Sequence, residues 1–313
     1  MIITITLNPA VDKTVVIPDF EAGTVNRVSS VRLDAGGKGI NVSKVIMSLG
    51  GKSCASGVLG GTTGNFIKES LNRMGIENKF LTIQGETRTN LKVVDSKRKT
   101  NTDINEPGPN LSSNDIEKLE EIIFSRIQRD TAVVFSGSVP ANVDKGIYCK
   151  WIKAAKLAGA KTILDADGEL LKLGMEAGPY MVKPNIHELE RFFGQEIVGI
   201  EEAERRARSL IDTYGIEFVA VSLGSRGAIF LNREKSLFIP GLDVEVKSTV
   251  GAGDSMVAAL TYSIDMGFDF EKAAGLAVAS ASANVMTSGT QPADIEVIRN
   301  LEKKVVFDYL YKT

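Results

Sequence analysis

Short apolar runs alternate with amphipathic stretches along this 313-residue chain, and few folds accommodate that alternation. A run of four to eight apolar residues suits a strand buried on both faces, and the amphipathic stretch after it suits a helix that connects parallel strands. The predicted strands are Ile2–Leu7, Cys54–Leu59, Ala132–Ser136, Lys161–Leu164, Tyr180–Val182, Phe218–Ser222 and Gly227–Leu231. The predicted helices are Ile40–Leu49, Gly64–Met74, Ser113–Ile127, Asp144–Leu157, Ile186–Phe193, Ile200–Tyr214, Gly253–Asp265, Phe270–Val285 and Ile295–Leu301. The pattern predicts an α/β fold in which residues 1–313 form one doubly wound domain around a mainly parallel sheet.

Four segments break this alternation. They are extended, polar on one side and without a helix between partners, at Thr14–Ile17, Val28–Leu33, Leu91–Val94 and Thr100–Ile104. The segments come in two pairs, which predicts a small antiparallel sheet, here called the lid, within about residues 12–34 and 88–104. The edges of such a sheet are exposed unless another chain covers them. We therefore expect a homodimer formed through the lid.

Composition excludes several classes of function. Lysine and arginine number 37 against 39 aspartate and glutamate, and the pI is near 5.7, so a nucleic-acid partner is not expected. No apolar run approaches the roughly 20 residues that span a bilayer, so no membrane partner is expected either. Cys54 and Cys149 stand outside any CxxC spacing, which fits a reducing, cytoplasmic location. A single histidine, His187, disfavours a multi-histidine metal site.

The most informative segment is Ser248-Thr249-Val250-Gly251-Ala252-Gly253-Asp254-Ser255, which an apolar helix follows. Glycines at 251 and 253 leave backbone N–H groups bare, and the helix adds the positive end of its dipole, so the segment suits phosphoryl oxygens. Asp254 has two interpretations. It is either a first-turn carboxylate that favours the helix dipole or the acceptor of a proton from an attacking hydroxyl. The residues alone leave both open.

Three motifs in this order resemble those of the ribokinase-like (PfkB) sugar kinases. They are Gly36-Gly37-Lys38-Gly39-Ile40-Asn41-Val42, the NxxE-containing Val182-Lys183-Pro184-Asn185-Ile186-His187-Glu188, and Thr249–Ser255. The resemblance runs from Ile2 to about Leu301 and implies a ribokinase-like fold with a small antiparallel β lid. Three further strings narrow it to phosphosugar kinases, and most of all to the bacterial 1-phosphofructokinases: Thr6–Asp12, Arg88–Lys92 and Ser136–Pro140.

The resemblance implies an ATP-dependent phosphotransferase that converts D-fructose 1-phosphate to fructose 1,6-bisphosphate. Asp254 would be the general base, and the backbone of Gly251, Ala252 and Gly253 would hold the transferring group together with Mg²⁺. The residues implied to bind the phosphosugar are Asp12, Gly36, Gly37, Lys38, Asn41, Arg88, Asn90, Lys92 and Ser138, with Arg27 reaching over from a partner's lid. For Lys38, Lys92 and Arg27 the alternative is a solvated surface cation.

The resemblance also implies a nucleotide side of the site. Its residues would be Lys183, Asn185, Ser222, Gly224, Ser248, Thr249, Gly251, Gly253, Asn284 and Ser288. Asn185 and Glu188 would hold Mg²⁺ through waters, and carbonyl groups about Ser248, Val250 and Gly289 would hold a monovalent cation such as K⁺.

Other functions stay open at this point. A tagatose-6-phosphate kinase or a 6-phosphofructokinase of the same family differs only in the acceptor, and Lys92 in the string Arg88-Thr89-Asn90-Leu91-Lys92 favours fructose 1-phosphate. A non-catalytic phosphosugar sensor should have replaced Asp254 or the two glycines beside it, and this chain keeps all three.

Overall fold

A ten-stranded sheet forms the centre of the computed structural model, which describes residues 1–312. Its strands are β1 Ile2–Thr6, β4 Ser53–Gly60, β5 Glu77–Ile83, β8 Ala132–Ser136, β9 Lys161–Asp165, β10 Met181–Val182, β11 Phe218–Ser222, β12 Gly227–Leu231, β13 Lys235–Pro240 and β14 Asp308–Lys312. They lie in the order β14-β13-β12-β11-β10-β9-β8-β1-β4-β5. The strands from β11 to β5 are parallel, and β12, β13 and β14 are antiparallel additions at one edge. The mainly parallel sheet is confirmed.

Helices cover both faces of this sheet. They are α1 Lys38–Ser48, α2 Gly61–Arg73, α3 Ser113–Phe124, α4 Ile147–Leu157, α5 Gly168–Met175, α6 Ile186–Phe193, α7 Ile200–Tyr214, α8 Ala252–Met266, α9 Phe270–Val285 and α10 Ile295–Glu302. Helices α3 to α7 pack on one face, and α1, α8, α9 and α10 pack on the other. In β1, Ile3 and Ile5 join the first core and Ile2 joins the second. A strand covered on both faces needs apolar residues at consecutive positions, which is why these strands read as unbroken apolar runs.

The lid is a separate four-stranded sheet. Its strands are β2 Ala10–Val16, β3 Ser30–Gly36, β6 Arg88–Asp95 and β7 Thr100–Asn105, in the order β3-β2-β6-β7. The pairs β2–β3 and β6–β7 are antiparallel, as predicted, and the two hairpins join through a parallel β2–β6 pair. Because side chains alternate along a strand, Asp12 and Asn90 share one face of the lid, and Val15 and Val93 share the other.

One carboxylate ties the tips of the two hairpins together. Asp95 is buried and accepts four backbone N–H groups, from Asp19, Phe20, Lys97 and Arg98. The connection after β2 and the turn after β6 are therefore held by the same side chain.

Several predicted boundaries are wrong. Helix α1 begins at Lys38 rather than Ile40, α2 at Gly61 rather than Gly64 and α4 at Ile147 rather than Asp144, while α3 ends at Phe124 rather than Ile127. The first two helices follow glycines directly, so their apolar periodicity begins after the first turn has already formed. Asp144 instead accepts the N–H of Gly146 ahead of α4.

Four elements were not predicted. They are β5, β13, β14 and α5, which contain few consecutive apolar residues. Strands β5 and β14 form the two edges of the sheet, where one side of a strand faces solvent and polar residues are tolerated. Helix α5 begins at Gly168 and contains a second glycine, Gly174, and glycine's low helix propensity weakens the helical pattern.

Candidate active site

Helix α8 begins where its sequence predicts an anion-binding turn. Gly251 adopts the left-handed conformation with φ of +86° and caps the helix, which lets α8 begin at Ala252 with its first N–H groups unpaired. Asp254 lies in this first turn and is buried, with 8% of its surface exposed. Its Oδ2 accepts a hydrogen bond of 2.8 Å from Nδ2 of Asn41 on α1. The two glycine motifs, distant in sequence, therefore meet at this carboxylate.

The surroundings of Asp254 raise its pKa above the ordinary value for an aspartate. Burial raises the pKa of Asp254 to about 6, and the nearby Asp165 carboxylate adds to the rise. The ammonium groups of Lys38 and Lys183 and the hydrogen bond from Asn41 act in the opposite direction. A carboxylate whose pKa lies just below neutrality is ionised at pH 7 yet basic enough to accept a proton, which is the property of a general base.

Asp165 is a member of the site that sequence analysis missed. It ends β9, is buried, and its Oδ1 lies 3.4 Å from Nζ of both Lys38 and Lys183. Burial alone would raise the pKa of Asp165, but the two ammonium groups outweigh that effect and hold it below its usual value. An aspartate that follows the buried run Ile163-Leu164, at the carboxyl end of a parallel strand, is the signal that could have found it.

The two lysines that contact Asp165 come from different elements of the fold. Lys38 comes from the first turn of α1, and Lys183 follows β10 and is 4% exposed. A Cβ placed on Gly253 would lie 3.4 Å from Nζ of Lys183, so this ammonium group lies directly beside the α8 turn. The carboxylates of Asp165 and Asp254 raise the pKa of Lys38 above its ordinary value, although its partial burial acts in the opposite direction. The site thus places two cations at the turn predicted to bind phosphoryl oxygens.

Lys44, also missed from the sequence, orients the asparagine that contacts Asp254. Its buried Nζ donates to the carbonyl of Ala35 and, at 3.2 Å, to Oδ1 of Asn41. With its oxygen held in this way, the Asn41 amide turns its NH₂ toward Asp254. Burial lowers the pKa of Lys44, while the carboxylates of Asp34, Asp12 and Asp254 oppose that shift. Lys44 therefore lies between the lid and α8.

The inner face of the lid brings together several residues predicted to bind the sugar. Nδ2 of Asn90 donates to Oδ1 of Asp12 at 3.1 Å, and a Cβ on Gly36 would overlap the same carboxylate. Burial raises the pKa of Asp12. Gly37 has φ of +113° and caps α1, so the chain passes from lid to helix without a side chain at either glycine.

Arg88 and Ser138 lie at the foot of the lid around Asn8. The Nη2 of Arg88 donates to the Asn8 carbonyl at 3.1 Å and its Nη1 to the Glu106 carbonyl at 3.0 Å, while its Nε is buried without a partner. Nδ2 of Asn8 lies 3.4 Å from Oγ of Ser138. The guanidinium is thus held at the base of β6, where its charge also acts on Asp12.

Two more predicted phosphate ligands belong to the lid, and Lys92 lies on the same face of β6 as Asn90. Lys92 pairs with Asp103 across the lid, with 3.6 Å between Nζ and Oδ1. Arg27 is exposed in the connection between β2 and β3 and makes no hydrogen bond or ion pair with residues 1–312.

The NxxE motif forms the start of α6. Oδ1 of Asn185 accepts the N–H of Glu188, and Oε2 of Glu188 accepts the N–H of Asn185, both at 2.9 Å. This reciprocal capping box explains the spacing of the two residues without a ligand. It also leaves the second oxygen of Glu188 free, and the charge of that side chain acts on Lys38 within the site. Among residues 1–312 no three histidine, cysteine or acidic side chains cluster to hold a metal ion by themselves.

The remaining nucleotide-side residues surround the α8 turn in two groups. Ser222 ends β11 and donates its N–H to the carbonyl of Pro184 at 3.1 Å, and Gly224 opens the turn that follows. Asn284 is buried near the end of α9, where a Cβ on Gly251 would lie 3.3 Å from its Oδ1. The loop residues predicted for the nucleotide or the cation lie on either side of this asparagine: Ser248, Thr249 and Val250 before α8, and Ser288 and Gly289 after α9.

A second glycine-rich segment, Gly57–Gly64, has a structural explanation. A Cβ on Gly57 would overlap the Thr6 carbonyl of the neighbouring strand. At the start of α2 the carboxylate of Glu86 accepts the N–H groups of Thr62 and Thr63, both at 3.1 Å, and the pKa of Glu86 is lowered by these bonds. The N–H groups at the start of α2 are therefore already bound by the Glu86 carboxylate.

Comparison with known proteins decides the family. The pfkB family of carbohydrate kinases matches residues 2–297. The chain belongs to this family. It is 36% identical to the 1-phosphofructokinase of Borreliella burgdorferi, over 91% of this chain and 92% of that protein, and 37% identical to the 1-phosphofructokinase of Bacillus subtilis, over 92% and 93%. The fold is similar to that of phosphofructokinase-2 from Escherichia coli in complex with potassium, with a TM-score of 0.92, 29% identity and coverage of 97% and 98%.

Family membership and these relatives identify the chain as a kinase, a phosphotransferase that acts on a sugar hydroxyl. The predicted ribokinase-like α/β fold is confirmed. Within residues 1–312, no helix has the length and apolar character required to cross a membrane.

Proposed function

We propose that this enzyme transfers the γ-phosphoryl group of ATP to the 6-hydroxyl of D-fructose 1-phosphate, which yields fructose 1,6-bisphosphate and ADP. The acceptor is inferred from the two 1-phosphofructokinases, which align with more than nine-tenths of the chain. The observation that carries the chemistry is the buried Asp254 carboxylate, with its pKa of about 6, in the first turn of a helix capped by Gly251. The proposed base and the proposed anion-binding backbone are therefore parts of the same first turn of α8.

In the proposed reaction Asp254 accepts the proton of the 6-hydroxyl as its oxygen attacks the γ-phosphorus. The new O6–P bond forms while the bond from phosphorus to the β-γ bridging oxygen breaks, and ADP leaves with that electron pair. The unpaired N–H groups at Ala252, Gly253 and Asp254 point toward the charge that builds on the transferring group. Lys38 and Lys183 flank the same place and supply positive charge from both sides.

The lid supplies the acceptor side of this proposal. Asp12 accepts hydrogen bonds from sugar hydroxyls next to Asn90, and the bare backbone of Gly36 and Gly37 allows the ring to approach closely. Arg88 binds the phosphate that the sugar already carries, for which a guanidinium suits better than an ammonium group. We propose that residues 1–313 act as one domain whose lid, within about 12–34 and 88–104, closes over the sugar to exclude water.

The proposal also includes two metal ions, Mg²⁺ and K⁺. The free oxygen of Glu188, with the Asn185 side chain beside it, fits a hydrated Mg²⁺ that also binds nucleotide phosphates, because Mg²⁺ retains several waters and rarely occupies an all-protein site. Bound there, Mg²⁺ would neutralise phosphate charge during transfer. Carbonyl groups about Ser248, Val250 and Gly289 are the proposed K⁺ ligands, and the structurally similar phosphofructokinase-2 has been solved in complex with potassium.

The function is tested by measuring ADP release with fructose 1-phosphate, tagatose 6-phosphate and fructose 6-phosphate in parallel. The proposal requires the highest kcat/KM on fructose 1-phosphate. A higher value on either alternative would reassign the acceptor, and no turnover on any of the three would favour a phosphosugar sensor.

Asp254→Asn tests the base. The variant should fold, since an asparagine oxygen still accepts from Asn41, but kcat should fall by about 10²- to 10⁴-fold, the usual contribution of a general base. Asp212→Asn, on the exposed side of α7, is the matched control and should retain wild-type turnover. Wild-type turnover in Asp254→Asn, with its fold verified by thermal unfolding, would remove Asp254 from the mechanism.

We also propose a cytoplasmic homodimer formed through the lid. The outer face of the lid exposes three large apolar side chains, Val31, Leu33 and Ile104, which are 47–55% exposed. The two cysteines are unpaired, as expected in a reducing compartment. Sedimentation of the wild type and of Leu33→Asp tests the interface: the wild type should be a dimer at micromolar concentration and the variant a monomer.

A further inference from the structure

Arg32 of the lid contacts the turn after α9, which lies on the proposed nucleotide side of the site. Arg32 lies on β3, where its Nε donates to Oδ2 of Asp34 at 2.7 Å. A Cβ placed on Gly289 would overlap Nη2 of Arg32, so the guanidinium lies directly against the backbone of Gly289. Gly289 has φ of +66°, in the turn that follows α9. A lid strand and a turn more than 250 residues away in sequence are therefore in contact.

The Gly289 turn belongs to the wall that backs the α8 turn. Asn284, at the end of α9, lies against Gly251, and the N–H groups of Lys247 and Ser248 both donate to the Val285 carbonyl, at 2.7 and 3.1 Å. The γ-hydroxyl of Thr287 donates to the Asn284 carbonyl at 2.8 Å. The end of α9, its following turn and the loop before α8 are thus packed as a unit.

The other end of the Arg32 contact reaches the sugar side. Asp34, which holds the guanidinium in place, stands directly opposite Asp12 in the β2–β3 register. Asp34 also acts electrostatically on both Asp12 and Lys44. Gly289 accommodates the guanidinium only because it has no side chain, and its positive φ is a conformation that few other residues adopt.

We propose that Arg32 is a positioning residue that couples the two substrates: its contact with Gly289 joins the sugar-binding lid to the nucleotide-binding wall, so that each substrate strengthens the binding of the other. The inference rests on the proposed function, since it needs a nucleotide at the α8 turn and a phosphosugar under the lid. Each substrate then stabilises the same lid–wall contact, and the coupling is reciprocal because it is a difference in binding free energy.

The experiment measures the affinity for fructose 1-phosphate by calorimetry, with and without a saturating, non-transferable β,γ-imido analogue of ATP. The wild type should bind the sugar phosphate at least about fivefold more tightly when the analogue is present, the lower end of usual coupling. Arg32→Met keeps the aliphatic stem and removes the guanidinium, so the ratio of the two affinities should fall to about one. Arg98→Met is the matched control, since Arg98 lies at the lid tip beside Asp19, and it should keep the wild-type ratio.

Gly289→Ala tests the same contact from the other side, because its Cβ would displace the guanidinium. It should also lower the ratio, and the double variant should be no worse than either single one. A wild-type ratio of one, or an unchanged ratio in Arg32→Met, overturns the inference. Wild-type turnover of fructose 1-phosphate is measured separately, so failure of the proposed function is seen independently of failure of the coupling.

Discussion

The pKa of Asp254 predicts how turnover depends on pH. If this carboxylate must be ionised to accept the proton of the sugar hydroxyl, kcat follows its ionised fraction. With a pKa of about 6, roughly nine-tenths of the enzyme is active at pH 7 and roughly one-tenth at pH 5. We therefore expect kcat to fall about tenfold between pH 7 and pH 5. The measurement is initial ADP release at saturating ATP, Mg²⁺ and sugar phosphate in half-unit steps of pH.

Substrate phosphates also titrate near pH 6, so the acidic limb alone does not identify the group. Two substitutions separate the possibilities, because they change the field on Asp254 without changing the substrates. Asp165→Asn removes a charge that raises the pKa of Asp254, and the limb should move to lower pH. Lys38→Met removes a charge that lowers this pKa, and the limb should move to higher pH. The charged and polar groups that act on Asp254 are Lys38, Asn41 and Lys44 on α1, Asp165 at the end of β9 and Lys183 after β10.

Opposite displacement of the limb in these two variants is the decisive outcome. A profile that stays flat down to pH 5 would refute the role of a buried carboxylate with a raised pKa. An acidic limb that remains at the same pH in both variants would assign the titration to the substrates instead. Thermal unfolding of each variant shows whether the buried charge network still folds, and Lys38→Met supplies the test should Asp165→Asn prove unstable.

Three further substitutions test the lid. Gly36→Ala places a Cβ on the Asp12 carboxylate and should raise KM for the sugar phosphate at least tenfold, with a smaller change in kcat. Gly275→Ala in α9 is the control, since there is space for its Cβ, and it should leave both constants unchanged. Arg88→Gln removes a charged hydrogen-bond donor worth about 1.5–3 kcal/mol, so KM for the sugar phosphate should rise by about 10- to 150-fold in steady-state assays, and an unchanged KM would exclude Arg88 as a phosphate ligand. Asp95→Asn should lower the unfolding temperature at pH 7, because backbone N–H donors depress the pKa of Asp95 in the folded protein. The ionised side chain therefore adds to the free energy of unfolding above the unfolded pKa near 3.8. That contribution is lost as the pH falls through the lower folded pKa. The difference between Asp95→Asn and wild type should therefore vanish in acid, and a difference independent of pH would contradict this explanation.

Much of the architecture is encoded in local patterns. The run Ile2–Leu7 is apolar at consecutive positions because both faces of β1 are buried, and that need is visible without knowing any neighbour. The lid segments reveal themselves in the same way, since a sheet with one polar face must alternate. Gly251 and Gly253 mark the turn before α8 because few other residues leave backbone N–H groups so accessible.

The edge strands of the large sheet and the pairing between distant segments are not encoded in local sequence patterns. Strands β5 and β14 need no continuous apolar run, since each has only one neighbour in the sheet, and two glycines weaken the helical pattern of α5. The parallel pairing of β2 with β6 joins two hairpins that local alternation leaves independent.

The group of polar residues around Asp254 depends on the tertiary structure most of all. Asn41 and Asp254 are 213 positions apart, and Lys38 and Asp165 are 127 apart, so no local pattern records that they touch. Local patterns indicate which residue types could hold a phosphoryl group and roughly where the strands and helices lie. Folding brings Asp165 close to Asp254 and Lys44 into contact with Asn41, and it buries Asp254 beside a second carboxylate. The physical reason is that a pKa is set by desolvation and by the charges within a few ångströms, and both exist only once the chain has folded.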